Sequence, residues 1–180
     1  MIIAKIKKKE NIAEYILYMW QIENLIRIFE LDIEKINKEI ILKFDQPDNI
    51  KNEMREWYVG LIAMMKEENI IEKGHLQFIQ NSLNDLNDLH ITMIKAPDEV
   101  EYQKNYVLAK PGIDDLIQKS TNPTINEIEA CFNGLYGLLI FRMKNKTISP
   151  ETAQAMQYIS KLIAELSKKY KQIENGEVEL

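Results

Sequence analysis

The chain has 180 residues, 46% of them apolar and 28% charged, with a formal net charge of −5. That length suits one domain, or at most two small ones, and a chain of this size can bury roughly 70% of the surface exposed on unfolding without disulfides or metal. Six glycines and five prolines are too few for a turn-rich β protein or a disordered chain.

Apolar residues recur at helical spacing almost throughout, and period-2 alternation is scarce. A first helix is expected from about Lys9 to Phe29, on Ile12, Ile16, Met19, Ile22 and Ile26. A second runs from Asp32 to Phe44 and stops before Pro47. Asp48 is the expected N-cap of a third helix, which carries Met54, Trp57, Leu61, Met64 and Met65. The fourth follows Gly74 with Leu76, Ile79, Leu83, Leu86, His90 and Met93. A segment from Asp98 to Ala109 is expected to halt at Pro111-Gly112, with a short helix after it. Thr124 and Glu127 have capping-box spacing, opening a helix on Ile128, Phe132, Leu135 and Leu139 behind Asn122-Pro123. Ser149-Pro150-Glu151 opens the last helix, whose stripe is Ala155, Ile159, Leu162, Leu166 and Ile173. The whole reads as an all-α, single-domain helical bundle of six or seven helices over 1–174, with a disordered tail at 175–180.

Polar residues that interrupt apolar stripes are the informative ones. Ile12, Ile16, Met19 and Ile26 fall within one arc of about 80°, and Glu23 lies in the middle of it. Arg27 is one turn further on and Trp20 is beside it. A buried lone carboxylate takes up a proton or needs a partner, so a partner is expected. His90 replaces an apolar residue in its own stripe, while Glu129, Tyr136 and Arg142 border the Ile128 stripe. Trp57 and Tyr58 add a ring and a hydroxyl. Together these residues form a candidate buried polar cluster: a network fixing helix register, or a pocket for a small anionic or zwitterionic ligand.

Other chemistries find little support. A di-iron site needs two Glu-x-x-His pairs, and only Glu72 with His75 matches. His75 and His90 on one helix would stand about 22 Å apart. Nucleophile-elbow, dinucleotide and Walker motifs are lacking, so no catalytic residue, cofactor or metal is assigned and the reading leans to a non-enzyme. Cys131 lies in an apolar stretch and reads as a buried small hydrophobe in a reducing compartment, the cytoplasm. The uncharged run 130–141 is far short of the ~20 residues of a membrane span. Lys5, Lys7, Lys8 and Lys9 read as a solvated lead-in, so neither nucleic acid nor membrane is an expected partner.

The segment 10–23, continued by Leu25-Ile26-Arg27, resembles a family of uncharacterised bacterial proteins of about this length. Trp57-Tyr58, Gly74-His75-Leu76, Asp88-Leu89-His90, the stretch 127–131, Leu135-Tyr136-Gly137 and the stretch 148–152 are similar to it as well. The resemblance implies a compact all-helical cytoplasmic protein and carries no activity, because the family is known only as a domain of unknown function.

Two functional expectations follow. The first is a non-enzymatic bundle acting by association, as a homo-oligomer or with a protein partner, through the last helix with Leu162, Leu166, Lys168, Lys169 and Lys171. The second is a small-molecule site built on Trp20, Glu23, Arg27 and His90.

Overall fold

A computed structural model describes residues 2–122 and 124–178. It is all-α, with eight α-helices, one 3-10 turn and no strand among the described residues. The helices are α1 (Ile2–Glu10), α2 (Ile12–Ile28), α3 (Ile33–Glu39), α4 (Asp48–Glu67), α5 (Gln77–Lys95), α6 (Val100–Lys119), α7 (Glu127–Met143) and α8 (Pro150–Glu174). The 3-10 turn, Ile41–Lys43, follows α3. Eight helices replace the expected six or seven, in part because the lysine-rich lead-in is itself helical. Asn11 separates it from α2 by accepting the Ala13 N–H at 3.0 Å, as an N-cap does.

Local chemistry sets the helix ends. Asp32 caps α3 by accepting the Glu34 and Lys35 N–H groups, and Ser149 caps α8, with Pro150 in its first turn. Asp48 is not a cap. It is the first residue of α4, and Pro47 holds the cap position without a side-chain bond. Thr124 does not cap α7 either. Asn126 does so by accepting the Glu129 N–H, while the Thr124 hydroxyl turns to Asn122. Pro123 lies outside the described residues, as do Glu179 and Leu180.

Four helices end in the same six-residue closure. After α4, Asn69 takes a left-handed conformation and the Ile70 N–H reaches back to the Met65 carbonyl. Asn145 does this after α7, Glu30 after α2 and Gly176 after α8. The closure after α8 falls at the start of the tail expected from Asn175. The Gly176 N–H donates to the Ile173 carbonyl and the Glu177 N–H to the Gln172 carbonyl.

The helices group into two compact units. The N-terminal unit takes residues up to Glu10 and Glu14–Asn81, and the C-terminal unit takes Asn11–Ala13 and Ser82 onward. Ile16, Met19, Ile26, Ile36, Leu61, Met65 and Ile79 are buried in the first, and Leu86, Ile113, Phe132, Ile159, Leu162 and Leu166 in the second.

In the C-terminal unit α6, α7 and α8 pack on one another. Pro111 does not halt α6, which runs unbroken from Val100 to Lys119. The N–H that proline lacks would have met the Val107 carbonyl, and Val107 is on the solvent side, where water can replace that partner. Gly112 lets α6 approach α8, since a Cβ there would stand 3.2 Å from the Ala155 Cβ. Leu162 and Leu166 are fully buried, so these two leucines of the α8 stripe are core and not the free interface the sequence suggested, while Ile173 near the helix end stays exposed. Replacing Gly112 by Leu should force the two helices apart and cost about 1–3 kcal/mol, read from urea unfolding.

Candidate functional site

The N-terminal unit holds a polar cluster on one face of α2. Trp20, Glu23 and Arg27 are spaced by three and four residues, so they share that face. Glu23 is fully buried. Its Oε1 accepts the Leu76 N–H at 2.9 Å, and its Oε2 is 2.5 Å from His75 Nδ1. An ionised carboxylate only accepts, so Nδ1 carries the proton of that bond. Leu76 immediately precedes α5, and its carbonyl already accepts the Ile79 and Gln80 N–H groups. Glu23 thus places negative charge at the positive end of a helix dipole. The Trp20 ring stacks on His75 with centroids 4.1 Å apart and planes at 10°. Burial, and after it the charge of Glu23, raises the Tyr15 hydroxyl above its ordinary range.

Arg27 fixes the loop that delivers His75. Its Nη2 donates to the carbonyls of Ile70 (3.1 Å) and Gly74 (2.5 Å), and its Nη1 to Asn24. Gly74 has a φ of 94°, a conformation that a side chain rarely adopts. The two terminal nitrogens are therefore spent on backbone carbonyls and an amide, while the buried Nε has no hydrogen-bond partner among the described residues.

His90 belongs to a separate set of partners in the C-terminal unit. Its Nδ1 lies 2.7 Å from the Tyr102 hydroxyl on α6, and its Nε2 lies 3.2 Å from Glu127 Oε2, at the first residue of α7. The other Glu127 oxygen accepts from the Tyr106 hydroxyl at 3.1 Å and faces Lys110 Nζ at 3.6 Å. With Glu127 accepting from Nε2–H, the Tyr102 hydroxyl donates to Nδ1, giving a Tyr–His–carboxylate chain. The bond from His90, followed by the bond from Tyr106 and the charge of Lys110, holds the Glu127 carboxyl below its ordinary range against the opposing effect of burial. Tyr106 is pushed up to about 12, first by burial and then by its bond to Glu127. Tyr102 is raised too, mainly by burial, and is 2% exposed, so the hydroxyl end of the chain ties helices together and meets no solvent. Nearby, buried Asn105 donates to Glu165 on α8 at 2.7 Å.

The single cluster drawn from the sequence therefore resolves into two networks. Glu23 pairs with His75, and His90 with Tyr102 and Glu127. Trp57 packs edge-on against Tyr58, whose hydroxyl burial drives up to about 12. Glu129 is half-buried and serves in the Asn126 cap. Tyr136 is half-buried on α7, whereas Arg142 is exposed in the last turn and not interior. Tyr102 and Tyr106 escape the sequence reading, and His75 enters it only as half of a Glu-x-x-His pair and not as the partner of Glu23. Glu127 looked like half of a capping box, and breaking α6 at Pro111 hid the face that carries Tyr102, Asn105, Ala109 and Ile113.

Cys131 is fully buried, and burial raises its thiol above the ordinary range. Among the described residues no three His, Cys, Asp or Glu side chains converge to hold a metal ion. No described helix is long and apolar enough to cross a membrane.

Truncating His75 to Ala should strand a buried carboxylate oxygen and cost about 1–3 kcal/mol in denaturant unfolding. Glu127 gives a pH signature. Its folded value is depressed from 4.5, so its stabilisation is present above that value and is lost as pH falls through the folded value. The stability difference between the native chain and Glu127→Gln should therefore be constant near neutrality and shrink in acid.

No curated protein and no solved structure matches the chain. A protein family does, over residues 1–177. The chain belongs to that family, described as Domain of unknown function (DUF4924).

Proposed function

We propose that this is a bacterial cytoplasmic protein that acts by association, with its own copies as the first partner, and not by catalysis. The observation that carries the reading is the two-sided character of α6. Tyr102, Asn105, Ala109 and Ile113 face the core, while Val100, Val107 and Leu108 lie on the opposite side of the same helix. Val107 is 69% exposed and Val100 and Leu108 are each 50% exposed. With Gln103 and Lys104 they line one open depression. A helix that is apolar on both sides has a second face to bury, and clustered exposed apolar residues favour removal from water at roughly 25 cal/mol per Å².

The last helix gives less support to this reading than the sequence suggested, because Leu162 and Leu166 are core. An interior ligand site is the weaker alternative, since Arg27 directs its terminal nitrogens to Asn24, Ile70 and Gly74. The test is sedimentation of the native chain beside Val107→Asp. The native protein should run as a multiple of 21.2 kDa, and the variant should run as the single chain with an unchanged circular dichroism spectrum. A native chain that stays at 21.2 kDa at high concentration removes the association reading.

A further inference from the structure

The Glu23–His75 pair leaves one ring nitrogen unspent, and that nitrogen faces water. We propose that His75 Nε2 is an acyl-acceptor site, a nucleophile made ready by Glu23 for a neutral activated carbonyl such as a thioester or a pyrocarbonate. The site is one of stoichiometric modification and stands independently of the association reading.

Three observations carry it. First, the two histidines of the chain differ in what they have left to offer. His90 is 2% exposed, and Tyr102 and Glu127 engage both its ring nitrogens. The His75 side chain is 21% exposed and its Nδ1 is on Glu23. Its Nε2 makes no hydrogen bond among the described residues and is not buried.

Second, Glu23 fixes where the lone pair lies. Because the carboxylate only accepts, Nδ1 keeps the proton, and the singly protonated ring carries its lone pair on Nε2, the open atom. A carboxylate behind an imidazole also makes the far nitrogen more basic and stabilises the positive charge that develops as it attacks. Trp20, stacked on the ring, and Arg27, bonded to the Gly74 carbonyl, hold the ring and its loop in that orientation.

Third, the surroundings select the reagent. Among the described residues no three His, Cys, Asp or Glu side chains converge, so a metal ion lacks its further ligands. A phosphoryl dianion would meet repulsion from Glu23, while Arg27 is already committed to Asn24, Ile70 and Gly74. A neutral carbonyl meets neither obstacle. The Nε2 lone pair attacks its carbon, an N–C bond forms, and the thiolate or carbonate leaves with the electron pair of the broken bond. The Nδ1 proton passes to Glu23 Oε2, so the acylated ring is neutral.

Diethyl pyrocarbonate is the probe, applied to the full chain at about pH 8, above the ordinary histidine value of about 6.5. Mass spectrometry of the two histidine peptides should show His75 acylated faster than N-acetylhistidine and His90 unmodified. Glu23→Gln moves the lone pair: its one oxygen accepts the Leu76 N–H, its NH2 donates to Nδ1, and the ring proton goes to Nε2. With a native circular dichroism spectrum, that variant should react about tenfold more slowly. Nitrogen NMR of the labelled native chain should show His75 Nε2 unprotonated at the same pH, and decides the matter if the variant does not fold. Three results each overturn the proposal: His75 no faster than N-acetylhistidine, a folded Glu23→Gln reacting at the native rate, or a proton on Nε2 in the native spectrum.

Discussion

The carboxylate of Glu23 has no access to water, and that constraint organises the N-terminal unit around it. An ionised group in such a place needs donors from the protein, and α2 cannot supply them because its own N–H groups are used within the helix. They come from the chain that precedes α5: the Leu76 N–H and the His75 ring. Delivering both to one carboxylate fixes that stretch closely. Arg27 on the same face of α2 grips the Ile70 and Gly74 carbonyls, and Gly74 takes a backbone conformation that a side chain would strain. Trp20 covers the His75 ring from one side. Start of helix, loop path and ring orientation are consequences of one buried charge.

The C-terminal unit solves a similar problem with a longer chain of groups. His90 is nearly as buried as Glu23, but it sits between a hydroxyl and a carboxylate, so each of its ring nitrogens has a partner. The network runs across α5, α6 and α7, and Asn105 with Glu165 extends polar contact to α8. Such groups favour one register among many that an apolar core would tolerate. Directing Tyr102, Asn105, Ala109 and Ile113 inward also settles what α6 leaves outside. Its remaining apolar residues, Val100, Val107 and Leu108, are turned to solvent because the helix has only one inward side.

Much of this architecture is legible in the order of residues. The all-α class follows from apolar spacing, and the start of α8 from Ser149-Pro150-Glu151, because both depend on neighbours within a turn or two of helix. Glu23 and His90 stand out for the same reason: each is a polar residue in an apolar stripe. The errors have physical causes as well. Pro111 marks a helix end only if the missing bond would go unsatisfied, and here it faces water. Thr124 and Glu127 have capping-box spacing, but Asn126 sits closer to the helix and takes the role. Asn69 and Asn145, which no pattern in the sequence analysis singled out, are left-handed helix terminators.

The sequence by itself determined the all-α class, the start of α8 and the fact that two polar side chains would be buried. Those properties arise from periodicity and local hydrogen bonding, which act over a few residues. Only the tertiary structure decided which groups those side chains meet. Helical phase says that Glu23 points inward; it does not say that a loop some fifty residues later will bring His75 and Leu76 to it. The same holds for the apolar stripes of α6 and α8. Both are amphipathic in sequence, and packing alone made most of one core and left part of the other exposed.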